Sequence, residues 1–140
     1  MKEKTAAAVK KLIAESRDAM VSSIDETGYP VTKAMFIAKV EELHTFWFST
    51  NVSAARTAQW QKEPKASIYL FNPAEIRAVL FIGTMKIHTA QAIKDAFWKE
   101  GDEQYYLLGA TDPDYCIAEF TAEKGKYYYF GETESFMVGQ

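Results

Sequence analysis

Apolar residues recur along this chain in two rhythms. Between Thr5 and Ser16 the residues Ala6, Val9, Leu12 and Ile13 return at helical spacing among charged neighbours, which predicts an amphipathic helix. From Ala19 onward the period falls to two, the signature of strands. Residues 19–24 read as a strand, Asp25-Glu26-Thr27-Gly28 as a turn, and residues 31–40 as a second strand beginning after Pro30. Its alternation puts Val31, Lys33, Met35, Ile37 and Lys39 on one face. Glu41-Glu42 forms a polar turn before a strand over residues 44–49, and Thr50, Asn51 and Ser53 then lead into a helix that ends before Pro64. Asn51 or Ser53 is the expected N-cap.

The second half continues in the same style. Residues 66–71 form a strand broken by Asn72-Pro73, and residues 76–82 are almost continuously apolar apart from Arg77. Gly83 predicts a bulge or bend before alternation resumes over residues 84–88, and that alternation sets His88 on the solvent side with Thr84 and Lys86. A helix is expected from Ala90 to about Glu100, with Ala92, Ile93, Ala96 and Phe97 as its apolar stripe. Residues 102–114 are a loop. A hairpin follows, with strands over 115–121 and 126–130 and a turn at Glu123-Lys124-Gly125, and the tail from Gly131 is short and mostly polar. Seven strands joined by short turns, with three helices set among them, predict a mainly β fold: a small antiparallel barrel with flanking helices.

Composition narrows the function classes. With 48% hydrophobic and 25% charged residues the chain is an ordinary globular protein, read as a single domain over residues 1–140. A net charge of -3 gives no general attraction to nucleic acid or anionic membrane. No apolar run is long enough for a signal peptide core or a membrane span, so a cytoplasmic protein is expected. Cys116 stands alone and cannot close an internal disulfide, and with only His44 and His88 beside it there is no metal-ligand set.

The stretch from Lys33 to Arg56 concentrates the candidate chemistry. Lys33 shares a face with Met35 and Ile37, where an ammonium needs an exposed edge or an anion. Ser49, Thr50 and Ser53 supply hydroxyls just before a helix N-terminus, and Arg56 adds a second cation. Unpaired N–H groups, hydroxyls and two cations suit a phosphomonoester.

These motifs carry a resemblance. The Gly28-Tyr29-Pro30 turn, the cation-bearing strand, the strand ending in Ser49-Thr50-Asn51 and the helix running to Glu63-Pro64 resemble the FMN-binding split barrels of the pyridoxamine 5'-phosphate oxidase-like superfamily. The segment from Trp98 through Tyr105-Tyr106 to residues 108–115 is similar to its general stress protein branch. The resemblance implies a split β-barrel and FMN as cofactor. Lys33 and Arg56 would neutralise the flavin phosphate, Ser49 and Thr50 with Ser53 would hydrogen-bond phosphate and ribityl oxygens, and the backbone of Ala34, Met35 and Phe36 would follow the ring. It also implies a homodimer with the cofactor site at the subunit interface.

The departures define what is not implied. The oxidases' flavin-contacting glutamine falls at Ala78, their cradle-strand lysine at Ala38, and their substrate-phosphate tyrosine, arginine and serine at Ala96, Glu100 and Gln104. Those positions carry no cation for a second phosphate, so the pyridoxamine 5'-phosphate oxidase reaction itself is not expected. An oxidoreductase on an unidentified small molecule, a flavin-holding protein without turnover, and a relative that has lost its cofactor or binds haem remain the readings.

Overall fold

Strand pairing in this protein is antiparallel throughout. A computed structural model describes residues 1–139. Helix α1 (Glu3–Glu15) buries Thr5, Val9 and Leu12, and it is followed by β1 (Asp18–Ile24), β2 (Pro30–Phe36), β3 (Lys39–Glu41) and β4 (Thr45–Asn51). Then come α2 (Ala55–Lys62), β5 (Lys65–Asn72), β6 (Arg77–His88), α3 (Gln91–Phe97), β7 (Tyr115–Tyr129) and β8 (Glu132–Met137). The hydrogen-bonded order is β2-β1-β5-β6-β7-β4-β3, with β8 added beside the second half of β7. β2 and β4 approach each other without pairing, so the curled sheet is a split barrel with flanking helices.

The core lies inside the curl. Phe46 packs on Phe81 and Phe120 with ring centroids 5.3 and 6.2 Å away, and Trp60 of α2 donates its indole N–H to the Ser22 carbonyl at 3.0 Å. Each such fully buried ring contributes on the order of 2–3 kcal/mol of transfer free energy.

Gly83 behaves as its position suggests. The β6–β7 register shifts between Ile82 and Gly83, and a side chain there would overlap the carbonyl of Thr121. The long strands therefore bend where backbones touch.

Four expectations are corrected. Residues 31–40 do not form one strand: the Ile37 N–H donates to the Arg17 carbonyl and the Ala38 N–H to that of Trp47, so the chain leaves β1 at Ile37 and joins β4 as β3. No straight strand could serve both partners. Glu123-Lys124-Gly125 is not a turn either, because β7 runs through it. The Phe136 ring occupies the space a Gly125 side chain would need, and the tail thereby becomes an eighth strand. That strand also supplies Glu134, whose carboxylate accepts the Lys2 N–H at 3.0 Å and the Thr5 hydroxyl at 3.1 Å at the start of α1. Helix α3 stops at Phe97 and leaves Ala92 and Ala96 exposed. It buries Lys94, whose ammonium donates to the Asp112 carbonyl at 2.9 Å. Finally, His88 is covered rather than solvent-facing, with Nε2 2.8 Å from a Glu119 oxygen and its ring 5.7 Å from that of Trp47.

Candidate functional site

Alternation along β4 turns Phe46, Phe48 and Thr50 inward and Trp47 and Ser49 outward. Thr50 is fully buried, and its hydroxyl oxygen accepts the Arg56 Nε–H at 3.0 Å. This bond fixes the root of the guanidinium and leaves its terminal nitrogens without a protein acceptor among the described residues. The α2 N-cap is Ala54, with no side-chain cap. Neither Asn51 nor Ser53 caps the helix. Ser53 instead donates its backbone N–H and its hydroxyl to the two carboxylate oxygens of Asp114, at 2.8 and 3.0 Å. The Asn51 side-chain oxygen accepts the Tyr106 hydroxyl at 2.6 Å, and the Asn51 carbonyl accepts that of Thr57 at 2.6 Å.

Lys33 lies opposite Val21 in the β1–β2 ladder, on the face that turns toward the core, and is half-buried. Among the described residues neither Lys33 nor Arg56 has a carboxylate within 4.0 Å. Met35 is buried on the same face as Lys33, while Ala34 and Phe36 are exposed on the other. The expected set is thus divided by the sheet. Lys33, Thr50 and Arg56 belong to its inner side and the split, Phe36 and Ser49 to its outer side, and Ser53 is occupied by Asp114.

On the outer side Phe36 and Ser49 border a cleft of about 430 Å³ that continues to Phe97, Tyr105 and Tyr106. Two cations absent from the sequence-based set, Arg17 and Lys99, reach it as well. Periodicity could not have found them, since one sits in the α1–β1 connection and the other just after α3. Tyr106 lies at the junction of cleft and cradle, and it was visible beforehand only as part of the Tyr105-Tyr106 motif. Burial pushes its phenol up to about 12, and burial likewise pushes the Cys116 thiol up to about 11. Both stay neutral at ordinary pH. The described residues contain no cluster of metal-ligating side chains and no helix long and apolar enough to cross a membrane.

Comparison with known proteins decides the family. The sequence profile described as Pyridoxamine 5'-phosphate oxidase like matches residues 4–138. The chain belongs to this family. A Clostridium acetobutylicum protein related to general stress protein 26 of B. subtilis is 35% identical, with a TM-score of 0.89 over 99% of this chain and 97% of the other. An FMN-binding, pyridoxamine 5'-phosphate oxidase-related protein from Nostoc punctiforme PCC 73102 shares the fold at 15% identity, with a TM-score of 0.73 over 99% and 96% of the two chains. A heme-binding protein from Mycobacterium smegmatis shares it at 13% identity, with a TM-score of 0.77 over 98% of this chain and 59% of the other. No curated protein matches the chain in sequence. Proteins of this fold thus include one described as FMN-binding and one described as heme-binding.

Proposed function

We propose that this chain binds FMN and serves as a flavin-dependent oxidoreductase acting on a small molecule. The observation that carries the reading is the pair of half-buried cations, Lys33 on the inner face of β2 and Arg56 held by the buried Thr50 hydroxyl at the start of α2, neither of which has a described carboxylate partner. Two such cations fit a phosphate dianion. β2 is the outermost strand of the sheet, so backbone groups along Ala34, Met35 and Phe36 are free to meet the polar edge of a flavin ring. When bound, the flavin supplies the electron chemistry. The chain's own groups bind and orient. Tyr106 and Cys116, held protonated, supply no base, which suits direct hydride transfer and equally suits a protein that holds flavin without turnover.

Haem fits these residues less well. His44 Nε2 lies 3.3 Å from a Glu42 carboxylate oxygen, His88 Nε2 is held by Glu119, and the buried Cys116 thiol is far from forming a thiolate. The dimer of the reading has a surface to use. Met20, Tyr69 and Phe71 leave neighbouring exposed apolar side chains on the outer face of β1 and β5, with Ile82 exposed on β6, a face that a second copy would cover. A lone buried thiol agrees with a reducing, cytoplasmic setting.

Titration of the purified protein with FMN and with riboflavin tests the phosphate assignment. Lys33→Ala and Arg56→Ala should each weaken FMN by about 10-fold or more and riboflavin only slightly, since a hydrogen bond to a charged group is worth about 1.5–3 kcal/mol. Equal losses for both ligands contradict it, and absence of saturable FMN binding to the unaltered chain rejects the whole reading. Steady-state oxidation of a nicotinamide cofactor with a dye acceptor separates turnover from storage.

A further inference from the structure

We propose that the outer cleft between β2 and the segment after α3 binds a planar organic carboxylate, with Arg17 and Lys99 as its anion ligands. Both cations are drawn to one ring. The Arg17 guanidinium carbon lies 5.6 Å and the Lys99 ammonium 5.9 Å from the Phe36 centroid, so two positive charges converge on the same wall. Among the described residues neither has a carboxylate within 4.0 Å and neither side chain makes a hydrogen bond.

The remaining walls specify shape. Phe97 is held in place by stacking on Trp47, with centroids 4.9 Å apart and planes at 29°. Tyr106 directs its hydroxyl away to the Thr50 carbonyl and to Asn51, and it therefore offers the cleft its ring. Tyr105 stands at the rim, 72% exposed. Flat rings around about 430 Å³ suit a single conjugated ring system.

Charge then chooses the anion. Asp102 also borders the cleft, with one carboxylate oxygen accepting the Lys99 backbone N–H at 2.9 Å, so two cations and one carboxylate leave a formal balance of +1. A carboxylate monoanion matches that balance, and a phosphate dianion exceeds it. As a substrate subsite the cleft rests on the flavin reading. As a binding site it does not.

Anthranilate, a fluorescent aromatic carboxylate, is a direct probe. It should bind saturably to the purified protein with or without FMN, and Arg17→Gln and Lys99→Gln should each weaken it roughly five- to tenfold. Aniline, which lacks the carboxylate, should not saturate, and phenyl phosphate should bind more weakly than anthranilate. Both variants alter exposed side chains without hydrogen bonds, so they should fold normally and keep the FMN affinity of the unaltered chain. Unchanged anthranilate binding in the double variant, or equal binding of aniline, overturns the proposal. Tighter binding of phenyl phosphate overturns the choice of carboxylate. Anthranilate binding retained by a protein that takes up no FMN rejects the flavin reading and leaves the cleft standing.

Discussion

Replacing Tyr106 with phenylalanine removes one hydroxyl from the junction between the outer cleft and the end of β4. That hydroxyl lies 2.6 Å from the Asn51 side-chain oxygen and 3.0 Å from the Thr50 carbonyl, but it carries a single proton. The two contacts share one donor and count as about one strong bond. The ring is 8% exposed and packs against Tyr115 and Trp98 at centroid distances of 4.7 and 6.2 Å, contacts a phenylalanine keeps. No cavity opens, so the cost is one buried hydrogen bond with its acceptors stranded, about 1–2 kcal/mol. The Thr50–Asn51 backbone also positions the Thr50 hydroxyl that holds Arg56, so FMN affinity should fall a few-fold alongside stability. Urea unfolding read by circular dichroism, with an unchanged dependence on denaturant, measures the first effect, and flavin titration measures the second. A stability change below about 0.3 kcal/mol would refute the reasoning, because it would mean that water replaces the phenol without loss.

Two further perturbations examine the frame around the site. Gly83→Ala places a methyl group against the Thr121 carbonyl, where only backbone can yield, and should cost about 3 kcal/mol in urea unfolding, whereas Gly28→Ala, with φ +88° and open space around it, should cost about 1 kcal/mol. Raising the pH from about 9 to 12 should progressively destabilise the fold. The unfolded thiol and phenol titrate near 9 and 10, whereas in the folded chain Cys116 waits until about 11 and Tyr106 until about 12, so the stability they contribute is complete below the lower values and lost through the upper ones. The loss should be on the order of 2 kcal/mol for each group; burial raises Tyr115 as well as Tyr106, so Tyr106→Phe should remove part of the late phenolate absorbance and not all of it.

The strands and their rough positions were legible because half-buried strands alternate, and that alternation is written in residue type. Gly83 announced the bend for the same local reason: only glycine tolerates a carbonyl against its Cα. What stayed hidden was set by partners far along the chain. Nothing near Val31 shows that the strand must exchange β1 for β4 at Ile37. Gly125 looked like a turn because the Phe136 ring that fills its place comes eleven residues later in a tail that reads as polar. Within the site, Lys33, Thr50 and Arg56 could be proposed from spacing, and the structure puts Thr50 and Arg56 in direct contact. The contact of Ser53 with Asp114, which takes it from the N-cap role, could not be read from the sequence, because the two residues lie far apart along the chain. Arg17 belongs to no periodic segment, Lys99 falls in the part of the expected helix that the structure unwinds after Phe97, and the two become neighbours only through the Phe36 ring.

Asp114 also changes where the attraction for a phosphate must come from. A bare helix N-terminus offers an anion about 0.3–1 kcal/mol, screened by salt, together with unpaired N–H groups. At α2 the carboxylate of Asp114 already receives the Ser53 N–H and hydroxyl, so a built-in negative charge meets much of that field. A phosphate arriving here gains little from the helix and must be held by side-chain cations. Charge-assisted bonds of about 1.5–3 kcal/mol each, from Lys33 and from the free end of Arg56, are the terms large enough to do so. The helix N-terminus that first marked this stretch of sequence is therefore the minor partner, and Lys33 and Arg56 are the positions at which a charge-removing substitution should discriminate FMN from riboflavin.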